Sequence, residues 1–183
     1  MVITTSIKRV LFPGRFQPFH NGHYEALLQL INEYDEVVIA VGSAQEGFTC
    51  KNPFTAGERM EMIDQLLRRR GLREKAWIIP VPDIHMPPAW AAYLLSVVPR
   101  VEAVASGNPQ VLYLYEWLGF KTKRIKLVEP EKYQGSRIRE LIVQGRDEWR
   151  ELLPVEIAEF IDKIRGVERI RRLCLDEHSG NKW

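Results

Sequence analysis

The run Glu36–Val41 (EVVIAV) is apolar at every position but its first and ends in Gly42 and Ser43, so it has no polar face to turn toward water. A strand of this kind must be covered on both sides, which is the habit of parallel sheets sandwiched between helices. The neighbouring sequence agrees. Lys8–Phe12 (KRVLF) reads as a shorter apolar strand, and Tyr24–Ile31 (YEALLQLI) between the two carries apolar residues at helical spacing. Thr55 with Glu58 three residues on forms a capping box for a helix that Gly71 ends. Ala76–Val81, Val101–Ala105 and Arg124–Val128 read as further strands, with helices at Ala91–Val98 and Val111–Leu118 between them and a loop containing Pro82, Pro87 and Pro88 before the first helix. Ser136–Val143 begins another helix. The tail from Pro154 carries Ile157, Phe160, Ile161 and Ile164 at helical spacing and is followed by a last helical segment, Val167–Leu175. Strand and helix alternate at least four times. The expected fold class is therefore α/β: a parallel sheet of about five strands flanked by helices, with a helical C-terminal part from about residue 154 and the ligand at the carboxyl ends of the strands. One domain over residues 1–183 is expected, with a disordered tail from about residue 176.

The first strand-to-helix connection holds the sequence GRFQPFHNGH, Gly14 to His23. Unpaired backbone N–H groups and the positive end of a helix attract anions at such a junction. Gly14 and Gly22 let the backbone approach a ligand, Pro18 stiffens the loop, and His20 and His23 are spaced to face the same way on a helix. Each imidazole can donate a hydrogen bond to a phosphoryl oxygen without carrying a full charge at neutral pH. The same residues also fit a pair of surface histidines or a metal pair of the HxxH type. A metal would need a third ligand; only His85 and His178 remain, with no cysteine cluster near them.

Bulk properties exclude several classes. A composition that is 45% hydrophobic and 27% charged is globular, and a formal charge of +2 gives no concentrated basic face for nucleic acid. Arg68–Arg70 and Arg171–Arg172 read as solvated helix faces. Cys50 and Cys174 lie far apart without a CxxC partner, so neither a metal site nor a disulfide is expected and a reducing cytosol fits. The longest apolar run, near Ala89–Val98, is too short to span a membrane, and Met1–Lys8 lacks a signal-peptide core; a cytoplasmic protein is expected. No GxxxxGK[ST] or GxGxxG occurs, and the second strand ends in GSAQ rather than in an acidic residue for a dinucleotide ribose.

HNGH at 20–23 resembles the HxGH signature of the nucleotidyltransferase superfamily, and the longer GRFQPFHNGH is similar to that of archaeal nicotinamide-mononucleotide adenylyltransferases. GSAQ (42–45), NPFTAGERM (52–60), IIPVPDI (78–84) with Trp90, SGNP (106–109), YQGSRIR (133–139) and GVERI (166–170) fall in that family's order. The resemblance implies a Rossmann-like nucleotidyltransferase fold and transfer of the adenylyl group of ATP to nicotinamide mononucleotide (NMN), giving NAD and pyrophosphate. Magnesium would be bound mainly by the substrate phosphates, with no protein metal site. Ring-like homo-oligomers are a further implication. A sister enzyme for FMN or phosphopantetheine and a non-catalytic NAD or nucleotide sensor are the competing readings.

The resemblance assigns His20, His23, Arg15 and Arg139 to catalysis. It places Gly14, Phe16, Gln17, Gly22, Gly107, Asn108 and Ser136 with them around ATP. Ser136 and Arg139 match the family's [ST]xxR segment, although SxxR is also common at ordinary helix starts. Phe16, Lys51, Asp83, Ile84 and Trp90 are assigned to the acceptor. Lys51 stands where relatives commonly have arginine and supplies charge without the planar fork. An indole suits a cationic pyridinium, yet Trp90 precedes Ala91-Ala92-Tyr93-Leu94 and reads equally as core. Pro87 replaces a polar residue that can reach the carboxamide, which leaves carboxamide recognition to backbone groups around Ile84 and His85.

Overall fold

A computed structural model describes residues 7–178. Its parallel strands β1 (Arg9–Gly14), β2 (Glu36–Val41), β3 (Ala76–Pro80), β4 (Ala103–Ser106) and β5 (Thr122–Arg124) lie in the order β3-β2-β1-β4-β5. The chain moves outward from β1 through β2 and β3, then returns to add β4 and β5 on the other side. A reversal of this kind opens a crevice between the loops that follow the two central strands.

Side chains alternate cleanly across the sheet. Val10 and Phe12 of β1 and Val37, Ile39 and Val41 of β2 enter one core, while Leu11, Val38 and Ala40 enter the other. The first core is covered by α1 (Asn21–Glu33), α2 (Ala56–Arg69), α5 (Gly135–Val143), α6 (Val155–Lys163) and α7 (Gly166–His178). The smaller second core is closed by α3 (Pro87–Val97) and α4 (Pro109–Trp117). The double burial that EVVIAV demands is thus met, and the expected α/β sheet of five parallel strands is present.

Several boundaries differ from expectation for local reasons. α3 begins at Pro87, because proline in the first helical turn lacks an N–H that would be unpaired there anyway. β5 comes earlier than the expected Arg124–Val128. It is a three-residue edge strand paired to β4 from Thr122 to Arg124, while Ile125, Leu127 and Val128 turn into the crevice. α7 continues to His178 rather than stopping near Leu175, and the tail expected beyond it lies outside the described residues. The capping box at Thr55 and Glu58 forms as expected, and Gly71 takes a left-handed conformation just after α2.

Cys50 and Cys174 form a disulfide, which corrects the expectation that none would occur. They are 124 residues apart, but α7 packs against the segment between β2 and α2. Arg169 of α7 donates to the Pro53 carbonyl at 3.3 Å and to Glu58 at 2.7 Å, and its guanidinium lies 4.6 Å from the centre of the Phe48 ring. Sequence spacing cannot reveal such a meeting. The inference of a reducing compartment loses the support it drew from unpaired thiols.

Candidate functional site

The β1–α1 connection and the start of α5 face each other across a cavity of about 640 Å³. His20 and His23 line it and also build the first turn of α1. His20 is the N-cap, and its Nδ1 accepts from the His23 backbone N–H while the His23 Nδ1 accepts from the His20 backbone N–H. This is a capping box made of two imidazoles. Because both Nδ1 atoms are acceptors, each neutral ring carries its proton on Nε2. The rings stack at 3.5 Å, so protonating both would place two cations face to face. Burial pushes His20 down to about 4, partly offset by its backbone hydrogen bond. His23 is held well below its ordinary value by burial, then by the neighbouring His20 charge. Both are neutral donors at pH 7.

Phe16 supports this pair from below. Its ring packs edge-on against His23 at 4.9 Å and lies against Gly14, and its backbone is left-handed at φ 52°. Gly22 has no room for a side chain, since a Cβ there would lie 2.9 Å from Tyr133 Cβ and 3.2 Å from the His20 Nδ1. Gln17 has its amide occupied: Nε2 donates to the Phe54 carbonyl at 2.8 Å, and Oε1 accepts from the Phe54 N–H at 3.1 Å. These bonds tie the loop to the segment leading into α2, and Gln17 also lines the cavity.

The opposite wall is the N-terminus of α5, whose first turn contains Gly135, Ser136 and Arg137 and has no side-chain cap. Its first N–H groups therefore remain available to an anion. Gly135 allows this helix to approach the β1–α1 connection, because a Cβ there would come within 2.8 Å of the Gln17 carbonyl oxygen. Arg139 donates from Nη1 to that same carbonyl at 2.7 Å. Burial lowers its pKa and the Arg15 charge lowers it further, while the guanidinium remains cationic. Arg15 is exposed, and no ion pair of it forms among the described residues. The cavity therefore combines two neutral donors, two arginines and two helix N-termini, the arrangement expected for a polyphosphate.

A second cavity of about 760 Å³ opens beside α3 and α4. Its wall is mainly apolar, with Trp90, Met86, Tyr113, Leu114 and Trp117, and Asp83 stands at its edge. Asp83 accepts a 2.5 Å hydrogen bond from the Ser43 hydroxyl, and its backbone is gripped by the Gln45 amide through bonds of 2.9 and 3.3 Å. Trp90 is a partly buried residue of the second core that also reaches this cavity. Its buried Nε1–H has no protein acceptor among the described residues. Asn108 lies at the seam: it lines both cavities and caps α4 through a bond from the Gln110 N–H.

The first cavity gathers Arg15, Phe16, Gln17, His20, Gly22, His23, Gly107, Asn108, Ser136 and Arg139 from the ATP set. Gly14 does not line it; its carbonyl instead accepts from the Gly42 N–H. Asp83 and Trp90 of the acceptor set line the second cavity, whereas Lys51 and Ile84 are exposed and line neither. The sequence reading gave no role to Ser43, Gln45, Arg59, Tyr133 or Gly135. For Tyr133 and Gly135 the signal was available in YQGSRIR. Among the described residues, no group of three or more His, Cys, Asp or Glu is gathered to hold a metal ion.

Residues 11–141 match the cytidylyltransferase-like family model. The chain is 44% identical over 177 residues to a nicotinamide-nucleotide adenylyltransferase of Thermococcus kodakarensis, covering 96% of this chain and 94% of the relative. It is 40% identical over 167 residues to the nicotinamide-nucleotide adenylyltransferase of Archaeoglobus fulgidus, covering 89% and 95%. A solved structure of a bifunctional NMN adenylyltransferase/ADP ribose pyrophosphatase from Francisella tularensis, complexed with AMP and a Mn ion, superposes with a TM-score of 0.75. At 19% identity, over 94% of this chain and 53% of that longer one, it speaks for the fold. The chain belongs to the nicotinamide-nucleotide adenylyltransferases of the cytidylyltransferase-like family.

Proposed function

We propose that this protein transfers the adenylyl group of ATP to nicotinamide mononucleotide, forming NAD and pyrophosphate. The observation that carries the reading is the imidazole capping box. It uses both Nδ1 atoms to start α1 and leaves two Nε2–H donors on a cavity walled by Arg139 and the start of α5.

The attacking atom is an oxygen of the acceptor 5′-phosphate. It forms a bond to the ATP α-phosphorus as the bond to the oxygen bridging to the β-phosphorus breaks, and that electron pair leaves with pyrophosphate. No proton need move, so neutral histidines suffice and no protein nucleophile is required. Charge has to be managed as two polyanions meet and the transition state loads the α-phosphate and leaving group. His23 donates to the α-phosphate and His20 to the chain beyond it. Arg15 and Arg139 neutralise the phosphates and hold an in-line geometry, and the N–H groups opening α5 with the Ser136 hydroxyl take the remaining oxygens. The ATP substrate arrives with magnesium on its phosphates, which agrees with a phosphate cavity furnished with imidazole and guanidinium groups rather than carboxylates. Gly107 and Asn108 border the adenosine side.

The acceptor ring is placed in the second cavity against the Trp90 indole, with Asp83 oriented by Ser43 for the ribose or carboxamide. Phe16 lies beneath the α1 start and acts there as support rather than as a ring partner. Lys51 and Ile84 are peripheral. Pro87 offers the carboxamide no side-chain partner, so nicotinate mononucleotide is an important competitor. Exposed Met86, Tyr113 and Trp117 are compatible with assembly as a homo-oligomer, which light scattering checks. Among the described residues no helix is long and apolar enough to cross a membrane. We assign the protein to the cytoplasm.

The test is pyrophosphate release with magnesium and ATP, comparing nicotinamide mononucleotide, its deamidated acid, FMN and phosphopantetheine, with NAD measured separately. Release with NAD in the first case is expected. Release only with FMN or phosphopantetheine would preserve the chemistry and overturn the acceptor.

A further inference from the structure

Arg59 of α2 is fully buried, yet it forms no ion pair among the described residues. Its donors go to backbone carbonyls. Nε bonds the Thr55 carbonyl at 3.2 Å, Nη1 bonds those of Arg15 at 2.7 Å and Gly42 at 2.6 Å, and Nη2 bonds that of Ser43 at 3.0 Å. A buried cation held by neutral carbonyls is expensive to desolvate, and an apolar residue would fill the space more cheaply. Burial lowers its pKa to about 10, partly opposed by the Asp83 carboxylate, so the group is cationic at neutral pH.

The carbonyls it collects are not arbitrary. Those of Arg15 and of Gly42 and Ser43 lie just past the ends of the two adjacent strands β1 and β2, on the loops that feed the two cavities. Each loop contains a non-glycine residue in the left-handed region, Phe16 at φ 52° and Ser43 at φ 48°. Such residues persist only where the surroundings hold them. Arg59 grips the carbonyl immediately before Phe16 and the carbonyl of Ser43 itself. On the far side of each grip stands a side chain that serves a cavity: Arg15, which lines the first, and the Ser43 hydroxyl, which orients Asp83 at the second.

We propose that Arg59 is a positioning residue for adenylyl transfer: its buried guanidinium locks the β1–α1 and β2–α2 loops together and so sets the ATP phosphates in register with the acceptor. This rests on the reaction proposed above. Its planar fork reaches three carbonyls on two loops, a geometry that a lysine ammonium, with its donors on one atom, cannot reproduce.

Arg59→Lys, which keeps the charge, should remain folded with turnover lowered about tenfold to a hundredfold, because small misplacements of reacting groups are that costly. Equilibrium ATP binding should change less than about threefold, since the histidines, Arg139 and the start of α5 are untouched. Adding guanidinium ion below denaturing concentration to Arg59→Ala should restore turnover, while Arg59→Met, whose side chain fills the vacated space, should not respond. Ser43→Ala provides an arm that does not depend on Arg59 variants folding: it should raise the acceptor KM several-fold and leave the ATP KM unchanged. Arg59→Lys with wild-type turnover, a stability loss without a kinetic change in the folded fraction, or unchanged acceptor KM in Ser43→Ala would each overturn the proposal. Failure of the wild-type protein to form NAD would instead overturn the function.

Discussion

The two cavities are built by different means. The first cavity, proposed for the phosphates, is a set of hydrogen-bond donors fixed by the backbone: two imidazoles that cap a helix, an arginine anchored on the Gln17 carbonyl and an uncapped helix start. The second cavity, proposed for the acceptor, is an apolar wall on two short helices with one carboxylate oriented by Ser43. Triphosphate chemistry requires donors at set positions, whereas a ring needs only a surface of the right shape. Loss of one donor should therefore affect rate, and loss of one wall residue should affect affinity.

The sharpest way to break that contrast is His23→Ala. Turnover should fall about 10²–10³-fold, the usual effect of removing one transition-state donor, while ATP affinity shifts little. An unchanged turnover in a folded variant would remove His23 from the chemistry. A stability test away from both cavities follows from the Cys50–Cys174 bridge, which closes a loop of more than a hundred residues on the side of the first core. Cys174→Ser should cost about 3 kcal/mol in chemical denaturation, and Cys50→Ser the same, because each removes the same constraint.

The phosphate side makes a matching demand on pH. The folded-state pKa of His20 lies near 4, below the 6.5 of the unfolded chain. The unfolded state thus binds the extra proton first, and stability present above pH 6.5 is lost as pH falls toward 4. The loss should reach at most about 3 kcal/mol for that imidazole. Bound ATP should shrink the loss, because phosphate favours the protonated ring and raises its folded-state pKa toward 6.5; denaturation midpoints with and without nucleotide measure both. Smaller effects complete the series. Trp90→Ala should raise the acceptor KM about tenfold, from lost stacking and cation–π attraction, with ATP binding nearly intact. An equal loss of both would make Trp90 a core residue only. Lys51→Ala, outside both cavities, should change either KM less than about threefold.

The residues that gather at the first cavity are far more visible in the sequence than those at the second, for a physical reason. Donors that must cap a helix and face an anion are confined to fixed spacings, so HNGH and SRIR are visible as strings. EVVIAV, Thr55 with Glu58, and Gly71 were visible because burial, capping and positive φ each restrict residue type strongly. The β5 edge strand was placed too late because pairing on one side only through the backbone leaves no apolar signature, whereas Ile125, Leu127 and Val128, which do look like a strand, line the cavity. The disulfide and the Arg59 grips depend on chain crossings between distant residues, about which spacing is silent. Lys51, which the resemblance assigns to the acceptor, is exposed and lines neither cavity, because a charged residue in an exposed loop carries no spacing that ties it to a wall.

The division of labour within each histidine has a consequence for how such a protein tolerates change. Catalytic groups are commonly a burden on the fold, and a screen for greater stability tends to discard them. Here one nitrogen of each ring starts a helix and, in the proposed reaction, the other serves the substrate, so replacing either histidine would remove a cap as well as a donor. Selection for a sturdier protein and selection for an active one therefore press on these two positions in the same direction.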